Sequence, residues 1–442
     1  MEKFIINGGK KLTGAVSVSG AKNVALKALV AACLTEEKLI IHNIPLISDF
    51  FVMVDIIKEL GGEVSIKDHT ATVQLKRFKK DKISLDKAAE IRTSSMFLAP
   101  LLARTGGAII PNPGGCRIGA RPIDRIIKGL REMGVDIVYN NSDGYFHAST
   151  KQLEGTKYRF EKNSHTGTET LILAGVLAKG RTILENAAQE PEVDELISLL
   201  NLMGAKIKRV GPRTIVINGV ENLCGVEFSI SPDRNEIVTF AIAAIITEGD
   251  IFIKDIKTQN LRTFLAKLKA AGAGFEEKNG GLRFYYIGNL TKTDIVTSAY
   301  PGFMTDWQGP WAVLMAKANG TSTIHETVYE NRFGYVSELK KMGAKITFFN
   351  PQIKNPKEVY NFNLEDDTGK YFHGAKIYGS TPLHNGVLTI SDLRAGATLV
   401  LAALAARGQS IIFGVEHLDR GYENFDKRLR HLGADIKRVD HE

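Results

Sequence analysis

The residues best suited to chemistry lie in Pro111-Asn112-Pro113-Gly114-Gly115-Cys116-Arg117-Ile118-Gly119-Ala120-Arg121-Pro122. A thiol stands there between two permanent cations. Arg117 and Arg121 favour the thiolate of Cys116 and draw anions. Prolines and glycines this dense exclude a helix or a central strand. The stretch is therefore a loop, able to flex around Gly114-Gly115 and Gly119 and stiffened at its ends by proline. A solvated surface loop with an incidental cysteine fits the same composition, since most loops carry no function. The surrounding elements have to decide.

Those elements repeat. An amphipathic segment ending in Gly and a small residue, followed by a short apolar strand, recurs around Gly61, Gly134, Gly204, Gly272, Gly343 and Gly433. The period is about 70 residues, too long for a solenoid repeat. A second phrase interleaves with it: an apolar helix rich in Ala and Leu, usually a Gly, then a β-branched strand. Its helices are Asn23 to Leu34, Thr93 to Arg104, Thr168 to Lys179, Glu236 to Thr247, Trp307 to Asn319 and Leu393 to Arg407. Apolar on all sides, these helices belong in a core. Segments such as Val193 to Leu200 are amphipathic and cover the outside. Gly after a helix supplies a left-handed cap. The pattern predicts six α/β units, with sheets backed by helices. The last interval is longer than the others, and its excess falls near Asn350 to Gly374, which reads as an inserted surface loop.

The chain of 442 residues suffices for two or three domains. Its 44% hydrophobic and 24% charged residues are the balance of a soluble globular protein. No apolar run approaches the ~18 residues of a membrane span, and Met1 to Gly14 lacks a secretory apolar region. The cysteines Cys33, Cys116 and Cys224 are too scattered for a disulfide framework or a zinc site. Cys33 lies in an apolar run and belongs to the core. A cytoplasmic protein with reduced thiols is expected. A net charge of +8, spread without a basic tail, suits small anionic substrates better than nucleic acid.

Six such units with a Pro-Gly-Gly-Cys-x-Ile-Gly-Ala-Arg-Pro loop resemble the enolpyruvyl transferase family, over the whole chain. Further matching motifs are Ser19-Gly20-Ala21-Lys22-Asn23, Arg92 before an apolar helix, Ser164 to Glu169, and Asn186 to Glu192. Pro232-Asp233-Arg234, Thr305-Asp306, Asp392-Leu393-Arg394 and Asp419-Arg420-Gly421-Tyr422-Glu423 complete the set. The Cys-bearing loop favours the branch that acts on UDP-N-acetylglucosamine over the one that acts on shikimate 3-phosphate. The resemblance implies an α/β fold, a two-domain inside-out α/β barrel with six βαβ-type repeats, three per domain. One domain would be 22–229 with the Cys loop as a lid, the other 1–21 and 230–442, with the active site in the cleft between them. A nucleic-acid-binding protein on similar repeats is the alternative from another class.

The implied reaction moves the enolpyruvyl group of phosphoenolpyruvate to the sugar 3-hydroxyl and releases phosphate, in the first committed step of peptidoglycan synthesis. No metal, cofactor or membrane is implied, and no oligomer is required. Cys116 matches the proton donor. Arg117 and Arg121 lower its pKa, and a bound phosphate and carboxylate push it back up. Asp306 matches the base for the hydroxyl; it also precedes an apolar helix, where capping is the structural role. The helix end would lower its pKa. Lys22, Asn23, Arg121, Arg394 and Arg420 match the groups around phosphoenolpyruvate. Lys22 and Asn23 fall at a helix start, a good phosphate seat. For Arg420 an ion pair with Asp419 or Glu423 competes. Asn23, Arg92, Arg121, Pro122, Ile123, Asp124, Lys162, Ser164, Thr305, Asp306 and Val328 match the nucleotide-sugar side. Asp124 also fits a first-turn acid. Ser164 opens a loop-to-helix passage whose N–H groups can meet a pyrophosphate. Thr166, Met304 and Trp307 depart from the usual pattern.

Overall fold

The computed structural model describes residues 2–115, 119–120, 122–256 and 258–440. Cys116, Arg117 and Arg121 lie outside the described residues. Two compact units form. One comprises Gly20–Gly115 and Pro122–Ser231, the other the described residues of 2–19 and 232–440 together with Gly119 and Ala120.

Each unit has its own apolar core, built on three inner helices. In the second unit these are Arg234–Ile246, Gln308–Lys317 and Leu393–Ala405, which pack on one another. Every residue of Arg234–Ile246 is buried, as expected of a helix with no polar stripe. The first unit uses Lys22–Ala32, Leu98–Thr105 and His165–Gly175. The second of these departs from the expected span: residues Arg92–Phe97 form a 3-10 helix, and the α-helix starts only at Leu98. Pro100 lacks an N–H and is tolerated only in a first turn, so it fixes the start. Amphipathic helices such as Pro191–Leu202 lie outside, with Val193, Leu196, Leu199 and Leu200 inward.

The sheets are open and separate, and among the described residues none closes on itself. Burial alternates along the strands, Phe4 and Ile6 being inward in Glu2–Asn7, so each sheet turns one face to the helices. Among the described residues, five sheets share one order, a strand parallel to its neighbour at one edge and an antiparallel pair at the other. The sheet of Gly107–Pro111, Tyr145–Ser149 and Asp136–Asn140 is antiparallel and has only a single parallel bridge, Lys82 to Ile109, at its edge. Thr13–Val16 runs parallel to Asp250–Ile253, and Glu227–Ser229 parallel to Leu39–His42. In both units a strand from far along the chain thus supplies the parallel edge. Glu2–Asn7 lies antiparallel between Gln409–Phe413 and Asp435–Asp440, completing the sixth sheet from the N-terminus. The glycines after the helices do not all act as expected. Gly106 is a left-handed C-cap (φ 75°), but before Gly249 it is Glu248 that takes the positive φ of 56°. Gly249 instead admits the backbone: a Cβ there would stand 2.0 Å from the Leu12 carbonyl oxygen.

Candidate active site

Asp306 lies in the 3-10 turn Thr305–Trp307, ahead of the helix Gln308–Lys317. Trp307 is the anchor of that turn. It packs edge-on against Phe303 and Phe264, at 5.5 and 5.8 Å between ring centres, and donates from Nε1 to Asn235 Oδ1 at 2.9 Å. Each aromatic pair adds roughly 0.5–1.5 kcal/mol beyond burial, so the turn is held from below. Pro310 falls in the first turn of the helix, where its missing N–H is harmless.

The capping role that competed for Asp306 is not what the structure has. The helix carries no side-chain cap. Asp306 Oδ1 accepts from Arg332 Nη2 at 3.0 Å and Oδ2 from Arg394 Nε at 3.1 Å. Burial raises the carboxyl pKa, but the Arg394 and Arg332 charges outweigh it and hold Asp306 well below the usual carboxylate range. The lowering foreseen from a helix end therefore comes from two guanidiniums. Arg394 sits in the first turn of Leu393–Ala405, capped by Asp392, which accepts from the Arg394 and Ala395 N–H groups. Its Nη1 also donates to Tyr422 Oη at 3.2 Å, and Tyr422 shares a 2.8 Å hydrogen bond with Thr239. Burial works against the charge on Arg394 and Arg332, yet the facing acidic groups raise both.

Glu326 draws the neighbouring candidates together. It is 1% exposed, just past the strand Thr321–His325. Oε1 accepts from the Val328 and Tyr329 N–H groups at 2.7 and 3.0 Å. Oε2 accepts from Thr305 Oγ1 at 2.9 Å and from Gln308 Nε2. Arg332 Nε also reaches Thr305 Oγ1, at 3.3 Å. Burial raises the Glu326 pKa, against the pull of the two backbone donors. Thr305, Asp306, Val328 and Arg394 are thus one hydrogen-bonded cluster, joined by Glu326 and Arg332. The sequence reading named neither joining residue. The available signal was a strand end where apolar alternation stops and Glu326, Glu330 and Arg332 follow, all three buried. Asp419 does not pair as foreseen for Arg420; Arg438 holds it at 2.6 and 2.9 Å. Arg420 follows the short helix Glu416–Asp419.

In the first unit Lys22 and Asn23 open the helix Lys22–Ala32, which has no side-chain cap. Lys22 Nζ lies 2.6 Å from Asp49 Oδ2, a partner absent from the sequence reading. Arg92 Nη2 donates to the Pro122 carbonyl at 2.9 Å, joining two nucleotide-side candidates. Ile123 is buried, and Asp124 starts the helix Asp124–Glu132 as foreseen. Ser164 caps His165–Gly175, accepting from Gly167 N at 3.1 Å, so its hydroxyl serves the helix end. Lys162 and Thr166 flank it, Thr166 within the first turn.

At the root of the Cys loop, Gly114 N donates to the Ala88 carbonyl at 2.9 Å. A Cβ on Gly114 would stand 1.8 Å from the Ala89 oxygen. This glycine thus permits a tight backbone contact, where the sequence suggested a flexible joint. Beyond it, Ala120 N donates to Glu330 Oε1 at 2.5 Å.

A family model described as EPSP synthase (3-phosphoshikimate 1-carboxyvinyltransferase) matches residues 6–429. The chain belongs to the enolpyruvyl transferase family. Within this family, the UDP-N-acetylglucosamine 1-carboxyvinyltransferase of Acidobacterium capsulatum is 42% identical over 444 residues, spanning 99% of this chain and 96% of that protein. Its counterpart from Koribacter versatilis is 41% identical over 443 residues, spanning 99% and 97%. Among solved structures, the enolpyruvyl transferase NikO from Streptomyces tendae superposes with a TM-score of 0.87 at 24% identity, covering 100% of this chain and 99% of that one. EPSP synthase from Acinetobacter baumannii gives 0.73 at 20% identity, with both chains covered in full. At such identities these two structures speak for the enolpyruvyl transferase fold.

Proposed function

We propose that the protein transfers the enolpyruvyl group of phosphoenolpyruvate to the 3-hydroxyl of UDP-N-acetylglucosamine and releases phosphate. Relatives of that name, about 40% identical along the whole chain, support this reading. The observation that carries it is the Asp306 carboxylate, ionised and gripped by Arg394 and Arg332 beside Thr305. A base for a sugar hydroxyl and a guanidinium for a phosphate or carboxylate are what the chemistry requires.

In the addition step the hydroxyl oxygen bonds to C2 of phosphoenolpyruvate. Asp306 takes the hydroxyl proton, and Cys116 gives a proton to the methylene carbon. In the elimination step the new methyl group loses a proton, the double bond re-forms and phosphate leaves. Lys22, Arg121, Arg394 and Arg420 hold the donor's anionic groups, with Asn23 beside Lys22. Arg92, Pro122, Ile123, Asp124, Lys162, Ser164, Thr305 and Val328 belong to the nucleotide-sugar side. Asp306 is a weak base while both guanidiniums grip it. An anionic substrate that engages Arg394 loosens that grip and strengthens the base where it is needed. The reaction would serve peptidoglycan synthesis in the cytoplasm.

Phosphate release from phosphoenolpyruvate tests the reading. Turnover is expected with UDP-N-acetylglucosamine and not with shikimate 3-phosphate; the reverse preference would overturn it. Alkylation of Cys116 by an epoxide phosphonate such as fosfomycin is expected to stop turnover, and full activity of the modified protein would remove the thiol from the mechanism.

A further inference from the structure

The insertion foreseen as a surface loop does run over the surface, but it plants three buried rings beneath it. It connects Lys345–Phe349 to Gly374–Tyr378, an antiparallel pair. The equivalent pairs in other sheets are joined by residues 68–69, 141–144, 212–213 and 279–280. Here residues 350–373 take that place, and they fold back on the strand Thr321–His325. Tyr360, Phe362 and His373 are 6%, 5% and 4% exposed. Their rings meet at 4.8 to 5.1 Å, and Tyr360 stands edge-on to His325 at 5.8 Å.

Two backbone hydrogen bonds tie this aromatic plug to the residues after His325. Asn361 N donates to the Thr327 carbonyl at 2.7 Å, and Glu326 N donates to the His373 carbonyl at 2.8 Å. Thr327 is held from its other side by Thr297, through N–H at 2.9 Å and through its hydroxyl at 2.5 Å. The backbone that carries Glu326 is therefore pinned on both sides. From that fixed point the carboxyl group gathers the Val328 and Tyr329 amides with one oxygen and the Thr305 hydroxyl with the other.

We infer that Glu326 is a positioning residue for the proposed transfer and that insertion 350–373 is its buttress. The inference rests on that reading of the function. Glu326 touches no reacting atom. It sets the turn bearing Val328 and the hydroxyl of Thr305, next to Asp306, and the insertion keeps its backbone from drifting. A buried carboxyl with several donors and a rigid support acts as an organiser of the residues around it.

Hydrogen exchange on the ligand-free protein tests this without any turnover. Glu326→Ala is expected to speed exchange at the Val328 and Tyr329 amides by about three- to tenfold, the loss of one net hydrogen bond each. Exchange in Arg234–Ile246 should stay unchanged, which reports that the core is folded. Phe362→Ala, which breaks the aromatic plug, is expected to speed the same two amides. Glu326→Gln keeps an acceptor for both and should return exchange to within about twofold of wild type. In kinetics, Glu326→Ala should raise KM for UDP-N-acetylglucosamine more than KM for phosphoenolpyruvate, and Gln should restore it. Unchanged exchange in Glu326→Ala would overturn the positioning role. So would Glu326→Gln exchanging about three- to tenfold faster than wild type at the same two amides, a comparison that stands even if the Ala variant fails to fold. Unchanged exchange in Phe362→Ala would overturn the buttress. Absence of turnover in the wild type would instead sink the function reading, while the exchange result still judges the architecture.

Discussion

In the second unit a carboxylate is flanked by two guanidiniums; in the first, a lysine at an uncapped helix start faces the Asp49 carboxylate. Asp306, Arg332 and Arg394 largely satisfy one another before any ligand arrives. Under the proposed function, an incoming anion would compete with Asp306 for Arg394 and so change the base as well as bind the substrate. Lys22 has Asp49 as a close counter-ion, but its helix end adds a positive potential that no side-chain cap offsets. Under the proposed function, the first unit would receive a phosphate and the second would couple anion binding to proton removal. A third arrangement lies deeper in the first unit. Glu169 is fully buried between Lys27 Nζ at 3.2 Å and His165 Nε2 at 3.1 Å. Neither contact has hydrogen-bond geometry. This set supports the helix that Ser164 caps rather than presenting charge to a ligand.

The sharpest way to break this contrast is Asp306→Asn, which keeps the shape and removes the charge. Turnover is expected to fall about 10²- to 10⁴-fold, read as phosphate release with thermal unfolding used to confirm the fold. A loss smaller than tenfold would leave Asp306 as an ion-pair partner only. A smaller effect is expected from Arg332→Gln. Removing one of two cations raises the Asp306 pKa, so the acid limb of kcat/KM should move to higher pH by about one unit. An unmoved limb would show that Arg394 alone sets the carboxylate. The same logic gives stability a pH dependence. The folded pKa of Asp306 is depressed, so its contribution is present above the unfolded value of ~3.9 and is lost only as pH falls through the much lower folded value.

The mildest effect concerns His165. Burial opposes its charge, but Glu169 outweighs burial and raises the imidazole pKa. Its stabilisation is complete below the unfolded value of ~6.5 and is lost as pH rises through the raised folded value. The urea midpoint of wild type relative to His165→Gln should therefore shrink toward alkaline pH. A constant gap would assign His165 a packing role instead.

The inner helices were legible in the sequence because a helix that is apolar all round has one place to go. Leu393–Ala405 and Arg234–Ile246 start within two residues of their expected spans. The 3-10 passage at Arg92–Phe97 was not legible, since its apolar residues fit either helix and only Pro100 distinguishes the turn where the α-helix begins. Asp306 could be singled out, but its partners could not. Arg332 and Arg394 lie 26 and 88 residues away along the chain, and no local pattern encodes such a meeting. The Asn350–Gly374 excess was visible as length. Which of its residues are buried was not, because three inward rings among mostly exposed residues show no period.

The sequence by itself determined the six repeats, the helices at the centre of each unit and the family to which the chain belongs. Those follow from local composition and from motifs that survive without reference to space. Tertiary structure alone decided the state of Asp306, the role of Glu326 and the support given by the insertion. Each depends on charges or hydrogen-bonding groups meeting across long stretches of chain, and the strength of those contacts depends on the burial that only the folded protein provides.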